Sequence, residues 1–193
     1  MKEDPEELSR LAETTVRSES VFDGTLLHVR RDDVTLPNGG SAHREYIRHQ
    51  GAVAIVPIAE DGSVIMERQF RYPLGGIVTE IPAGKLDSPD EDRLEAAKRE
   101  LREETGLTAE NWLPLGDYYP SPAYSDERIS LYLATGLSAG AQSLDFDEFL
   151  DVCRVPLMEL VSDVLNGLIT DGKTQTALLK AALVLNIQGR ENR

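Results

Sequence analysis

The run GAVAIVPI, from Gly51 to Ile58, constrains the fold more than any other stretch of this sequence. A strand that is apolar along its whole length has to be covered on both of its faces. Further along the chain, strand-like and helix-like patterns are mixed without a regular β-α-β repeat. The sequence therefore predicts an α/β fold of the mixed-sheet (α+β) kind, a sandwich in which helices flank the sheet.

The charge balance restricts the partners of the protein. The 193 residues include 20 Lys and Arg against 34 Asp and Glu, a formal net charge of −14. This excess argues against a protein that coats nucleic acid or an anionic membrane. An anionic substrate would need local arginines or bound cations. The single cysteine suits a reducing compartment, and no apolar run approaches a signal peptide or a membrane span. We therefore expect a cytoplasmic enzyme or binding protein.

Three segments can be separated along the chain. Residues 1–19 are polar, and they are predicted to be a mobile segment with a loose helix around Glu6–Ala12. Residues 20–49 have a β pattern in which Pro37–Gly40 forms a hairpin turn. This N-terminal antiparallel β segment is too small to fold alone. We expect it to pack on the main domain, residues 50–193, or on a second subunit.

The main domain is predicted to contain several further elements. Residues 63–73 should return as the antiparallel partner of the Gly51–Ile58 strand, and residues 78–84 should form one short strand. Residues 112–127 are aromatic and rich in loop signals. Strands are expected at residues 129–137 and 149–157, followed by two amphipathic helices.

A long helix should lie between residues 92 and 105. Ser88 and Asp92 are both possible capping residues, and Asp92 is preferred because the apolar spacing begins at Leu94. Leu94, Ala97 and Leu101 form the expected buried stripe. Gly106 should end the helix in the left-handed conformation.

Glu100, Glu103 and Glu104 share the flank beside this stripe, because residues three and four apart are neighbours on a helix. Like charges at this spacing destabilise a helix by a few tenths of a kcal/mol. A solvated face is one interpretation of such a turn. The other is a scaffold for hard divalent cations such as Mg²⁺, which bind carboxylate oxygens.

The whole string favours the cation scaffold. Gly84, Glu91, Arg99-Glu100-Leu101, Glu103-Glu104 and Gly106-Leu107 resemble the signature of the Nudix hydrolases, Gly-x5-Glu-x7-Arg-Glu-U-x-Glu-Glu-x-Gly-U with U aliphatic. The one departure is a gap of six residues between Gly84 and Glu91. The resemblance implies the Nudix α/β/α sandwich and hydrolysis of nucleoside diphosphates linked to a further moiety, with Mg²⁺ or Mn²⁺.

The resemblance also implies residue roles. Glu100 and Glu104 would be the principal metal ligands, and Glu103 a further ligand or a bridge through water. The carbonyl of Ala83 would be another ligand. Arg99 would orient the glutamates, and Glu91 would hold Arg99.

The stretches ERQFRYP, EIPAGKLD, SPAYSDE and DEFLDV are similar to the ADP-ribose pyrophosphatase branch of this superfamily, in which a proline stands some fifteen residues beyond the signature, here Pro122. The branch implies hydrolysis of ADP-ribose to AMP and ribose 5-phosphate, and a homodimer in which residues 20–49 pack across the partner. Tyr124 instead resembles the tyrosine of diadenosine polyphosphate hydrolases. Another nucleoside diphosphate sugar such as GDP-mannose, a dinucleoside polyphosphate, and a non-catalytic nucleotide sensor remain as alternatives.

Substrate contacts are expected from both charged and aromatic side chains. Arg68 and Arg71 are the candidates for gripping the diphosphate, because guanidinium groups match phosphate oxygens. In similar enzymes the position of Glu80 helps to arrange the site or binds substrate. The resemblance also implies a glutamate in the loop before the last strand as the general base, and Glu148 aligns best with it. Asp147 and Glu127 are alternatives, and Glu127 is also a candidate substrate contact. The adenine could stack on any of six aromatic residues: Tyr46, Phe70, Trp112, Tyr118, Tyr119 and Tyr124.

Overall fold

A computed structural model describes residues 4–191, and these residues form two compact units. The first unit contains the chain up to His49 together with the segment Ser121–Glu127. The second contains Gln50–Pro120 and the chain from Arg128 onward. Within the described residues, no helix is both long enough and apolar enough to cross a membrane.

The first unit is a three-stranded antiparallel sheet. After helix α1 (Pro5–Leu11), the strands β1 (Thr14–Asp23), β2 (His28–Thr35) and β3 (Ser41–Arg48) follow in spatial order β1-β2-β3. The predicted hairpin turn joins β2 to β3, where the Gly39 amide donates to the Leu36 carbonyl at 2.9 Å. The predicted boundary at residue 20 is wrong, because β1 begins at Thr14 and pairs with β2 from there.

The returning segment Ser121–Glu127 joins this unit through main-chain and side-chain contacts. The Ile47 amide donates to the Tyr124 carbonyl at 2.9 Å, and the His49 amide donates to Asp126 Oδ1 at 2.7 Å. Arg48 also forms an ion pair with Asp126 at 3.0 Å. The first unit is therefore discontinuous in sequence.

The second unit contains two sheets. The strands β4 (Ala52–Pro57), β7 (Ala83–Lys85), β8 (Leu107–Tyr118) and β9 (Ile129–Ala139) form one sheet in the order β7-β4-β9-β8, with β4 and β9 parallel. The strands β5 (Ser63–Arg71), β6 (Gly76–Glu80) and β10 (Leu150–Pro156) form the other in the order β10-β5-β6. The helices are α2 (Arg93–Thr105), α3 (Leu157–Leu165) and α4 (Gly172–Glu191), and a 3₁₀ turn, Tyr72–Leu74, joins β5 to β6.

Strand β4 is covered on both faces, as its apolar run predicts. Ala52, Ala54 and Val56 belong to a core that includes residues of β5, α3 and α4, such as Met66, Leu160 and Leu178. Val53 and Ile55 belong to a second core built on α2, with Ala97 and Leu101. Helices therefore cover both sides of the β4 sheet, and the predicted mixed α/β sandwich is confirmed.

Four predictions about elements of the second unit are wrong. Strand β5 is not the ladder partner of β4, since the two share only an isolated bridge between Ile58 and Val64. Residues 78–84 divide between β6 and β7. The stretch beginning at Trp112 lies within the long strand β8 up to Tyr118. In α2, Leu94 is only half-buried, and Ala96 takes its place in the buried stripe.

Candidate metal and diphosphate site

Helix α2 begins and ends at the predicted residues. Asp92 Oδ1 accepts hydrogen bonds from the amides of Leu94 at 2.9 Å and Glu95 at 3.0 Å, which satisfies donors that a helix N-terminus leaves unpaired. Gly106 adopts φ +71° at the other end, and its amide donates to the Arg102 carbonyl. These two caps define the length of α2, and the packing of Ala97 and Leu101 in the core determines which of its faces is turned toward β4.

Two of the three glutamates in the acidic turn of α2 are buried. Glu100 and Glu104 are 8% and 3% exposed, whereas Glu103 is half-buried. The Ala83 amide donates to Glu104 Oε2 at 2.9 Å. A Cβ atom at Gly84 would overlap the carboxylate of Glu100, so glycine at this position leaves the space that the carboxylate occupies.

Arg99 connects the carboxylates on the exposed side of this turn. Its Nη1 donates to Glu100 Oε1 at 2.9 Å and to Glu103 Oε2 at 3.1 Å, and its Nε donates to Glu91 Oε1 at 3.3 Å. Its Nη2 reaches the Lys85 carbonyl at 3.2 Å. The structure thus brings together Arg99, Glu91, Glu100 and Glu103, the set that the resemblance implies.

The pKa values of Glu100 and Glu104 are raised by burial and by neighbouring carboxylates, among them Glu67 and Glu148. Burial raises the pKa of Glu100 to about 7 against the opposing charge of Arg99, and Glu103 and Glu148 add to the rise. Burial also raises the pKa of Glu104, with contributions from Glu67, Glu100 and Glu148. The predicted base Glu148 therefore interacts electrostatically with both Glu100 and Glu104. Asp147 is exposed and contributes to neither pKa.

This environment fits a divalent cation by its chemistry. Buried carboxylates that raise one another's pKa need compensation by positive charge, and Mg²⁺ takes oxygen ligands of this kind. Within residues 4–191, no three acidic, histidine or cysteine side chains are yet positioned as a formed ligand cluster. Glu100, Glu103 and Glu104 would have to turn toward a common point to hold an ion.

A second group of charges surrounds Glu80. Arg71 donates to Glu80 from Nε at 2.7 Å and from Nη2 at 2.9 Å, and Lys173 Nζ also binds this carboxylate. Burial alone would raise the pKa of Glu80, but Arg71 and Lys173 outweigh burial and lower it. Lys173 also contacts Asp171 at 3.1 Å. A cavity of about 390 Å³ opens here, lined by these four residues and by Pro73, Leu74, Val78, Thr170 and Gly172.

The predicted substrate contacts are divided between the two units. Arg68 is exposed. Because successive strand residues point to opposite faces, its side chain lies on the face of β5 opposite to that of Glu67 and Arg71. Glu127, Tyr46 and Tyr124 belong to the first unit, where Glu127 lies 3.9 Å from His49 Nε2.

The remaining aromatic candidates differ in exposure. Trp112 packs edge-to-face on Tyr132 beside the α2 core, which accounts for it as a core residue. Tyr118 is half-buried against the other core. Phe70 and Tyr119 are exposed, and their predicted stacking role stays a prediction.

Sequence reasoning missed two residues of the site. Glu67 is buried at the end of the apolar run of β5. Lys173, in the first turn of α4, forms an ion pair with Glu80 and is half-buried. The available signal for Glu67 was a charged residue placed directly after the apolar run of β5. Lys173 carried no comparable signal, because its partner Glu80 is 93 residues away.

The fold and this site define a class of hydrolase whose acidic helix follows a glycine-bearing strand. The family model described as the NUDIX domain matches residues 48–176, so the chain belongs to the NUDIX family. The model described as the nucleoside diphosphate sugar hydrolase N-terminal domain matches residues 13–47.

Individual proteins resemble the chain over most of its length. It is 39% identical to an ADP-ribose pyrophosphatase of Bacillus subtilis, covering 91% of this chain and 98% of that protein. It is 41% identical to a methanol dehydrogenase activator of Bacillus methanolicus, covering 86% and 90% of the two chains. A solved structure of an ADP compounds hydrolase superposes with a TM-score of 0.82 at 29% identity, covering 92% of this chain and 96% of that one.

Proposed function

We propose that this protein is a Mg²⁺-dependent pyrophosphatase that hydrolyses ADP-ribose to AMP and ribose 5-phosphate. The observation that carries the proposal is the buried carboxylate pair Glu100 and Glu104 held against Ala83 and Gly84. The similarity to an ADP-ribose pyrophosphatase over nearly the whole chain supports the substrate.

Each residue of the site has a distinct task in this proposal. Glu100, Glu103, Glu104 and the Ala83 carbonyl would hold Mg²⁺ or Mn²⁺. When bound, the ion neutralises diphosphate charge and lowers the pKa of the attacking water. Arg99, fixed by Glu91, keeps Glu100 and Glu103 in place.

Substrate binding and proton transfer fall to residues around this group. Arg71 binds Glu80 through Nε and Nη2, and we assign its third donor nitrogen, Nη1, to a phosphate oxygen. Arg68 and Glu127 are kept as further substrate contacts. Glu148 accepts the proton of the water that attacks phosphorus, which is consistent with its electrostatic effect on Glu100 and Glu104.

The decisive experiment measures turnover of a panel containing ADP-ribose, GDP-mannose and a diadenosine polyphosphate, with Mg²⁺ and then with EDTA. Chromatography identifies the nucleoside monophosphate that each substrate leaves. We expect ADP-ribose to give AMP and ribose 5-phosphate at the highest kcat/KM, with no turnover in EDTA. Faster turnover of another member would assign the site to that substrate, and nucleotide binding without any turnover would indicate a sensor.

We further propose that the protein is a homodimer in the cytoplasm. The β5–β6 hairpin exposes Phe70 and Ile77, which are direct cross-strand partners, together with Tyr72 and Leu74 at its tip. An exposed apolar patch of this kind is typical of a subunit interface. Light scattering after gel filtration should give twice the chain mass of 21.3 kDa. The single cysteine suits a reducing compartment and so supports the cytoplasm, which cell fractionation can test.

A further inference from the structure

Glu67 is a buried acid that none of the roles above uses. It lies on β5, opposite Glu80 on β6 and Val152 on β10, and it is 4% exposed. Directly opposed residues of an antiparallel pair project to the same face. The Glu67 side chain therefore lies beside Glu80, on the inward face of the sheet.

The carboxylate of Glu67 is not satisfied within residues 4–191. Its Oε1 is buried without a hydrogen-bond partner in this part of the chain. The cations that act on it electrostatically, Lys173 and Arg71, are both bonded to Glu80. An unpaired polar atom in the interior costs on the order of 1–3 kcal/mol, and more when the group is charged.

The surroundings of Glu67 add negative charge from three other elements. Glu80 on β6, Glu148 in the loop before β10 and Glu104 on α2 all interact with it. A residue kept only for packing would be better served here by an aliphatic side chain, since β5 positions Val64 to Met66 are fully buried and apolar. A buried oxygen without a partner, facing acids from several elements, is a donor group for a hard cation.

We propose that Glu67 is an additional ligand of the divalent-cation centre, binding an ion together with Glu104. This inference rests on the proposed metal site, and it extends that site from the α2 signature to strand β5. Two-metal centres place a second ion close to the first and so share ligands between them.

Direct metal binding tests this inference without measuring turnover. Mn²⁺ is titrated by calorimetry and by electron paramagnetic resonance into the full chain, into Glu67→Gln and into Glu95→Gln. Glu95 is a matched control, because it is an exposed glutamate on α2 that pairs with Lys98. Circular dichroism in EDTA shows whether each variant is folded.

We expect Glu67→Gln to lose one bound ion or to bind Mn²⁺ at least about tenfold more weakly, since changes even beyond the ligands themselves cost about 10–100-fold. Glu95→Gln should match the unmodified protein. Equal stoichiometry and affinity in Glu67→Gln would overturn the role of Glu67 alone. No Mn²⁺ binding by the unmodified chain would overturn this inference and the proposed metal site together.

A second measurement uses the unmodified protein, in case Glu67→Gln does not fold. Crystals soaked in Mn²⁺ give an anomalous signal that locates each ion. The inference requires an ion within about 2.0–2.6 Å of a Glu67 carboxylate oxygen, the range of oxygen ligands of Mg²⁺ and Ca²⁺. Ions found only on the α2 glutamates would overturn it.

Discussion

Gly84 is the residue at which one added methyl group tests the carboxylate site most directly. In Gly84→Ala, the new Cβ would displace the Glu100 carboxylate, whereas the backbone conformation at this position does not require glycine. We expect a folded protein whose kcat falls on the order of 100-fold, the effect of about 1 Å of misplacement in an active site. Steady-state kinetics with ADP-ribose measure this loss.

Gly76→Ala provides the matched control, because its Cβ would meet only the Leu74 carbonyl, at 3.9 Å. It should leave kcat within about twofold, because the added methyl group contacts no side chain of the carboxylate site. Full activity in Gly84→Ala would show that the Glu100 position is not needed for turnover.

At the level of single residues, local sequence information located the acidic turn but not its surroundings. Glu100, Glu103, Glu104 and Arg99 are close in sequence, so helical spacing alone predicts their shared flank. Glu67 and Lys173 act through partners that only the fold brings near. Arg68 illustrates the same limit, since its charge was readable but the face of β5 that it occupies was not.

Among the elements, helix α2 carries the site, and its N-cap can be tested separately from its chemistry. Asp92→Ala removes the acceptor for the amides of Leu94 and Glu95. We expect a loss of about 1 kcal/mol in the free energy of unfolding, the usual effect of removing such a cap. Urea denaturation monitored by circular dichroism measures it.

Ser88→Ala is the comparison that separates the two capping residues allowed by the sequence. Because the structure begins α2 after Asp92, this substitution should change the free energy of unfolding by less than about 0.5 kcal/mol. A larger loss in Ser88→Ala than in Asp92→Ala would show that Ser88, and not Asp92, caps the helix.

Elements defined by local signals were predictable, and elements defined by pairing were not. The caps of α2 and the β2–β3 turn depend on neighbouring residues, so they were predicted correctly. Besides its neighbour β6, strand β5 pairs with β10, whose residues lie some eighty to ninety positions away in sequence, and no local pattern specifies that choice. Strand β8 was mistaken for a loop because Pro114 and Gly116 lie inside it, at a register shift where Gly116 adopts φ +91°.

Cation binding should raise the thermal stability of the whole molecule. A ligand that binds only the folded state contributes about 2.7 kcal/mol at a concentration of 100 times Kd. We therefore expect Mg²⁺ to raise the Tm by roughly 5–11 °C under that condition, from the typical response of domains of this size. Differential scanning calorimetry with Mg²⁺ or EDTA measures the shift.

Glu104→Gln should remove most of this shift and abolish turnover while the protein stays folded, because a neutral amide keeps the shape of the side chain and loses its charge. An undiminished Mg²⁺ shift in Glu104→Gln, or turnover that survives at saturating Mg²⁺, would contradict the assignment of Glu104 as a ligand.

Because the first unit is built from two separate segments of the chain, it cannot assemble completely until the second segment has been synthesised. Arg48 leaves the exit tunnel 78 residues before its partner Asp126, a delay of roughly 4–16 s at typical rates of synthesis. During that interval the contacts of the β1–β3 sheet with Ser121–Glu127 are missing, while strands β4 to β8 of the second unit are being made. The β1–β3 sheet is thus synthesised before the segment that completes it, and the first unit cannot be finished until the chain passes Glu127. Codon choice or pausing between residues 50 and 120 should therefore affect the yield of folded enzyme more than pausing after residue 130.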